Sequence, residues 1–127
     1  MWPVRMTLSL HSAAPSGSNL IGRRIAIFEA HPVLKVAIEA AFCKAGAVVV
    51  SGLDAQIDAA AIGLGLSHEG TVEPVARSLH RREIPFLFYA TPGEVDLESV
   101  RLAWPGCRIL TKPASLAEIV QAAVWFF

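Results

Sequence analysis

The sequence predicts a doubly wound α/β fold: a five-stranded parallel sheet with helices on both faces. Three observations predict it. Short apolar runs alternate with segments whose apolar residues recur at helical spacing, in the order β-α-β-β-α-β-α-β-α. The strand-like runs, such as "IPFLFYA" at 84–90, are continuously apolar rather than alternating, as strands covered on both faces are. The chain has 127 residues, 54% hydrophobic and 17% charged, which suits one domain with one substantial core.

The elements follow in order. Residues 1–21 open with "MWPVRMTLSL" and continue as "HSAAPSGSN", a small, polar, Pro- and Gly-containing stretch of linker composition, so they read as a flexible N-terminal leader before a domain at 22–127. "IAIF" (25–28) is the first strand. In "PVLKVAIEAAFCKAG" (32–46), Leu34, Ile38, Ala41, Phe42 and Ala45 share a helical face, with Pro32 near the start and Gly46 as the stop. "AVVV" (47–50) and "DAAAIGLGL" (58–66) are strands, and the seven residues from Ser51 up to Asp58 (51–57) leave no room for a full crossover helix. "TVEPVARSLHRR" (71–82) puts Val72, Val75, Ala76 and Leu79 on one side; Pro74 is tolerable there only in the first turn. "IPFLFYA" is a buried strand, "PGEVDLESVRLAW" (92–104) a short helix and "CRILTK" (107–112) the last strand. "SLAEIVQAAVWFF" (115–127) opens with Ser115 and Glu118 at capping-box spacing.

Composition excludes several classes. Net charge is zero and the pI about 6.9, without the clustered Lys and Arg of a nucleic-acid or anionic-membrane surface. No apolar run reaches the ~18 residues of a membrane span, and the N-terminus is a poor secretory signal. Cys43 and Cys107 sit in apolar sequence and read as reduced, buried thiols, with the cytoplasm as the expected location. The spacings of His31, His68 and His80 match no compact ligand set, so no metal is expected of them. "GLGLSHEG" lacks the spacing of a dinucleotide loop and has no following P-loop Lys, so no nucleotide cofactor is expected either.

Glycine at 63 and 65, near the end of the apolar third strand, weakens that strand and removes side chains where a core strand should carry them. Four stretches bear on what is missing: "IAIFEAHPVL", "AAAIGLGL", "IPFLFYAT" and "ILTKPASLAEI". In order and spacing they resemble the receiver domain of two-component response regulators over about residues 22–127. The resemblance implies a flavodoxin-like sheet of order 2-1-3-4-5, here with the second helix shortened or absent. It also implies phosphoryl transfer from a histidine kinase to an aspartate, with a divalent metal neutralising the phosphate oxygens. Position by position, the phospho-acceptor aligns with Gly63 and the main metal acid with Ala30, beside a surviving Glu29. The switch hydroxyl aligns with Ala90, with Thr91 one residue late, and the Lys-Pro element is kept as Lys112 and Pro113. No Asp or Glu lies between Asp58 and Glu69, so a small slip in alignment restores nothing.

The expectation is a degenerate, non-phosphorylatable receiver-like domain with an empty acceptor site. It binds no Mg²⁺ or other cofactor and is not an enzyme. Lys112 reads either as a leftover anion clamp or, as favoured here, as a side chain paired with Glu29 or with water. Trp104, Trp125, Phe126 and Phe127 belong to elements that form the output and dimer face in the family resembled. Three successive aromatics cannot all face inward, so they suggest a surface for a signalling protein or a second copy, with no nucleic acid and no membrane. The alternative is that the terminal aromatics fold back over the core. Two rival functions remain: a ligand or anion sensor using Lys112, His31 and Thr91, and a working phosphorelay receiver with an unorthodox acceptor such as Glu69.

Overall fold

Five apolar runs pair into one parallel sheet in the computed structural model, which describes residues 20–53, 55–64, 72–90, 97–110 and 115–127. The strands are β1 (Arg24–Phe28), β2 (Val48–Val50), β3 (Ala59–Gly63), β4 (Phe86–Tyr89) and β5 (Arg108–Leu110), in the spatial order β2-β1-β3-β4-β5. The described helices are α1 (Pro32–Lys44), α2 (Val72–Arg81), α3 (Leu97–Ala103) and α4 (Leu116–Val124). Element order and sheet order are those expected. α3 begins at Leu97, five residues later than the predicted start, and residues 91–96 lie outside the described set.

Alternation along β3 sorts the core into two layers. Ala59 and Ala61 face one side with Ile25, Ile27 and Leu87, against Ile38 and Phe42 of α1 and Ile119, Ala122 and Ala123 of α4. Ala60, Ile62 and Leu64 face the other with Ala26, Phe86 and Phe88, against Ala76 and Leu79 of α2. Three consecutive alanines at the sheet centre leave room for a helix on each face. All five β3 residues are buried, which is why the run reads as continuously apolar.

The helix ends follow from local chemistry. Ser115 caps α4: its hydroxyl accepts the Glu118 N–H at 3.1 Å and Glu118 accepts the Ser115 N–H at 2.9 Å, the reciprocal pair predicted. α1 stops at Gly46, whose φ of 96° is left-handed; its N–H reaches the Cys43 carbonyl and the Ala47 N–H the Phe42 carbonyl, both at 3.0 Å. α2 ends in the same two-bond pattern, Glu83 to His80 at 3.0 Å and Ile84 to Leu79 at 2.9 Å, but the left-handed residue is Glu83, at φ 58°.

No helix links β2 and β3 among the described residues. Instead, arginines satisfy the carbonyls of that short connection. Arg82 donates to Leu53 at 2.7 Å and Ala55 at 3.2 Å, and Arg24 Nε to Gln56 at 2.9 Å. Two expectations are corrected. Leu20, placed in the leader, is fully buried in the α1/α4 layer, so ordered structure begins before residue 22, while residues 1–19 lie outside the described set. Cys43 is exposed and Cys107 half-buried rather than both being buried, because α1 is apolar on its outer face too; both thiols are free.

Candidate functional site

In an open α/β sheet the carboxyl ends of the strands form a crevice where the strand order reverses, here between β1 and β3. Pairing of Phe28 with Ile62 brings Glu29, one residue past β1, beside Gly63. Pairing of Gly63 with Tyr89 sets Tyr89 on the same row and the same face. Tyr89 Oη donates to Glu29 Oε1 at 2.5 Å across the end of β3. Glu29 Oε2 accepts the His31 N–H at 3.0 Å. His31 in turn caps α1, its Nδ1 accepting the Leu34 N–H at 3.3 Å, with Pro32 in the first turn.

Gly63 lies beneath this bridge. A Cβ built on it would meet Tyr89 Oη at 2.9 Å and Tyr89 Cζ at 3.0 Å, and would come closer still to Glu29 Oε1. The expected empty site is therefore filled. A phenol hydroxyl and a carboxylate take the space that any side chain at position 63 would need, and glycine is the residue that fits under them. Tyr89 is buried, and so is its neighbour Ala90, whose methyl side chain offers no hydroxyl. Ala30 is exposed. Thr91, Lys112 and Pro113 lie outside the described residues, as do His68 and Glu69, so the expected approach of Lys112 to Glu29 does too.

A divalent cation for phosphoryl transfer needs several oxygen ligands, usually more than one carboxylate. The described residues do not fit one. Ala30 and Gly63 supply no oxygen from their side chains, and Glu29 already accepts a hydrogen bond at each carboxylate oxygen.

The four candidate interface aromatics do not share one environment. Trp104 is half-buried in the α2-side layer, edge-on to Phe86 at 5.8 Å and 82° and to His80 at 5.8 Å and 65°. Phe126 and Phe127 fold back onto the α1/α4 layer, and the Arg23 guanidinium lies 4.5 Å from the Phe127 ring centre. Trp125 alone of the four points outward, 64% exposed.

No family model matches the chain, and no curated protein matches it in sequence. Solved structures do. A response regulator from Thermotoga maritima aligns at TM-score 0.63 and 12% identity over 84% of this chain and 98% of its own. SdrG from Sphingomonas melonis Fr1 aligns at 0.62 and 23% identity over 84% and 97%. The fold is that of a response regulator receiver domain. A mutant of the anti-anti-sigma factor PhyR from Bartonella quintana aligns at 0.68 and 16% identity, over 94% of this chain but 54% of PhyR, so the chain spans about half of that protein.

Within this receiver fold, the residue that the reading of the sequence missed is Tyr89. It is the chain's one tyrosine and lies inside an apolar run, where it reads as core. The available signal was the sheet register. With β1, β3 and β4 adjacent, an acid one residue past β1, a glycine ending β3 and a tyrosine ending β4 fall on a single row.

Proposed function

We propose that this chain is a receiver-fold signalling domain that takes no phosphate and acts as a protein interaction module in a two-component-type pathway. The observation carrying the proposal is the Tyr89–Glu29 bridge over Gly63. A receiver switches by accepting a phosphoryl group on a carboxylate beside a metal. Here the acceptor position has no side chain, and the space above it is occupied by groups that hold each other. The domain is thus fixed in one state and works by docking rather than catalysis. The likeness to PhyR, an anti-anti-sigma factor, supports a role exercised on other proteins. Among the described residues no helix is long and apolar enough to cross a membrane, and the proposed setting is the cytoplasm.

The test is incubation with acetyl phosphate and Mg²⁺ followed by intact-mass measurement. The protein is expected to keep its mass. Gain of one phosphoryl group, on Glu69 or anywhere else, overturns the proposal.

A further inference from the structure

β2 closes one side of the sheet, and among the described residues no strand pairs with its outer edge. Val48 donates its N–H to the Arg23 carbonyl at 2.8 Å, inward toward β1. Backbone groups alternate along a strand, so the N–H and C=O of Val49 point outward from that edge. The side chains there are apolar. Val48 is 44% exposed, and by alternation it lies on the same face as Val50, which is buried in the α2-side layer. α1 lies against β1 and β2 on the opposite face. On the Val48 face no helix follows β2, because the connection to β3 holds none among the described residues. The edge therefore offers unpaired backbone and uncovered apolar surface in the same place.

We propose that residues 2–10 of this chain add to that edge as a sixth strand, antiparallel to β2, with their apolar side chains on the Val48 face. The pattern of "MWPVRMTLSL" decides the occupant. Trp2, Val4, Met6, Leu8 and Leu10 are apolar and alternate with Pro3, Arg5, Thr7 and Ser9. Period-two alternation over nine residues is the signature of a strand with one buried face, and no helix puts those five residues on one side. Pro3 and Arg5 suit an outermost strand: proline is tolerated there, and a charge on the edge discourages further pairing. The point of attachment is near. Gly22 donates its N–H to the Gly46 carbonyl at 3.0 Å, two residues before β2 begins. Residues 11–19 reach about 30 Å when extended, ample for a return onto β2. Such a tether gives this segment a local concentration that a free peptide does not match. Run antiparallel, the residues nearest Leu10 lie beside β2. Trp2 and Val4 continue past its end toward Leu53 and Ala55, which are only partly buried in the same layer. This strand goes beyond the interaction-module reading and does not depend on it.

The test is amide hydrogen exchange, followed by nuclear magnetic resonance on the isotopically labelled full chain, for the wild type and for M6D/L8D and T7K. M6D/L8D puts charge on the apolar face of the segment, and T7K changes only the polar one. The Val48 N–H, bonded inward to β1, reads whether the sheet is intact in each protein. The Val49 N–H reads the edge. Its exchange is expected to be slower by about tenfold or more in the wild type than in M6D/L8D, with T7K within about threefold of wild type and Val48 protected in all three. Independently of any variant, the wild type should show cross-peaks between the backbone of residues 6–10 and that of Val49. An unprotected Val49 in the wild type overturns the added strand, as does the absence of those cross-peaks. Protection that survives M6D/L8D unchanged, or is lost equally in T7K, overturns it too. Protection that fades on dilution gives the strand to a second copy and overturns its return onto the same chain.

Discussion

Replacing Gly63 by alanine tests the filled site with one methyl group. Its Cβ would sit 2.9 Å from Tyr89 Oη and 3.0 Å from Tyr89 Cζ, tighter than real Cβ contacts, and would also meet Glu29 Oε1. Glu29 is half-exposed and can swing toward water; the buried Tyr89 ring cannot follow it. The substitution therefore breaks the Tyr89–Glu29 hydrogen bond and strains the ring. A hydrogen bond to a charged group contributes about 1.5–3 kcal/mol, here at the low end because the site is partly solvated. Overpacking adds about 1 kcal/mol at the mild end of its range. The expected loss is about 2.5 kcal/mol, a fall in melting temperature of roughly 7–15 °C for a domain of this size. Urea and thermal denaturation followed by circular dichroism measure it. The effect must also be coupled: in a Tyr89→Phe background the same alanine should cost about 1.5 kcal/mol less, because the hydroxyl bond is already gone. A Gly63→Ala protein within about 0.5 kcal/mol of wild type would refute the reasoning, since the methyl would then have found open space.

Glu83→Gly relieves a left-handed backbone position and should raise stability by about 0.5–1 kcal/mol once the extra freedom of glycine in the unfolded chain is counted; a lowered melting temperature counts against it. The two thiols should differ in reactivity. Iodoacetamide should modify the exposed Cys43 first, and Cys107 slowly, because burial pushes the Cys107 thiol up and keeps it protonated; equal rates at neutral pH would contradict this. The same shift has a sign in stability. The folded state holds the Cys107 proton to higher pH than the unfolded chain does. Its contribution is intact below the ordinary thiol range and declines as pH rises through it. The urea midpoint should accordingly fall on going alkaline, and by less in Cys107→Ala.

Much of the fold was legible because its signals are local. Gly46 stops α1 by backbone geometry alone, Ser115 and Glu118 form their cap within one turn, and the seven residues 51–57 cannot hold a crossover helix. That position 63 carries no carboxylate was legible too, since it is read directly from the sequence. What fills its place was not. Tyr89 and Glu29 are 60 residues apart and meet only through the pairing of three strands, and in "FLFY" a tyrosine is indistinguishable from one more core ring. The exposure of Cys43 escaped for a related reason. Val33 and Val36, both largely exposed, make the outer face of α1 as apolar as its inner one, so periodicity does not tell which side is buried.

The most direct measurement uses the fact that the chain has one tyrosine. Nuclear magnetic resonance of protein labelled at tyrosine and glycine reports on Tyr89 without ambiguity. The account predicts close cross-peaks between the Tyr89 ring and the Gly63 α-protons, and a slowly exchanging hydroxyl proton that disappears in Glu29→Ala. A freely reorienting ring with neither signal would mean that the end of β3 is open, and the account of a blocked receiver would be wrong.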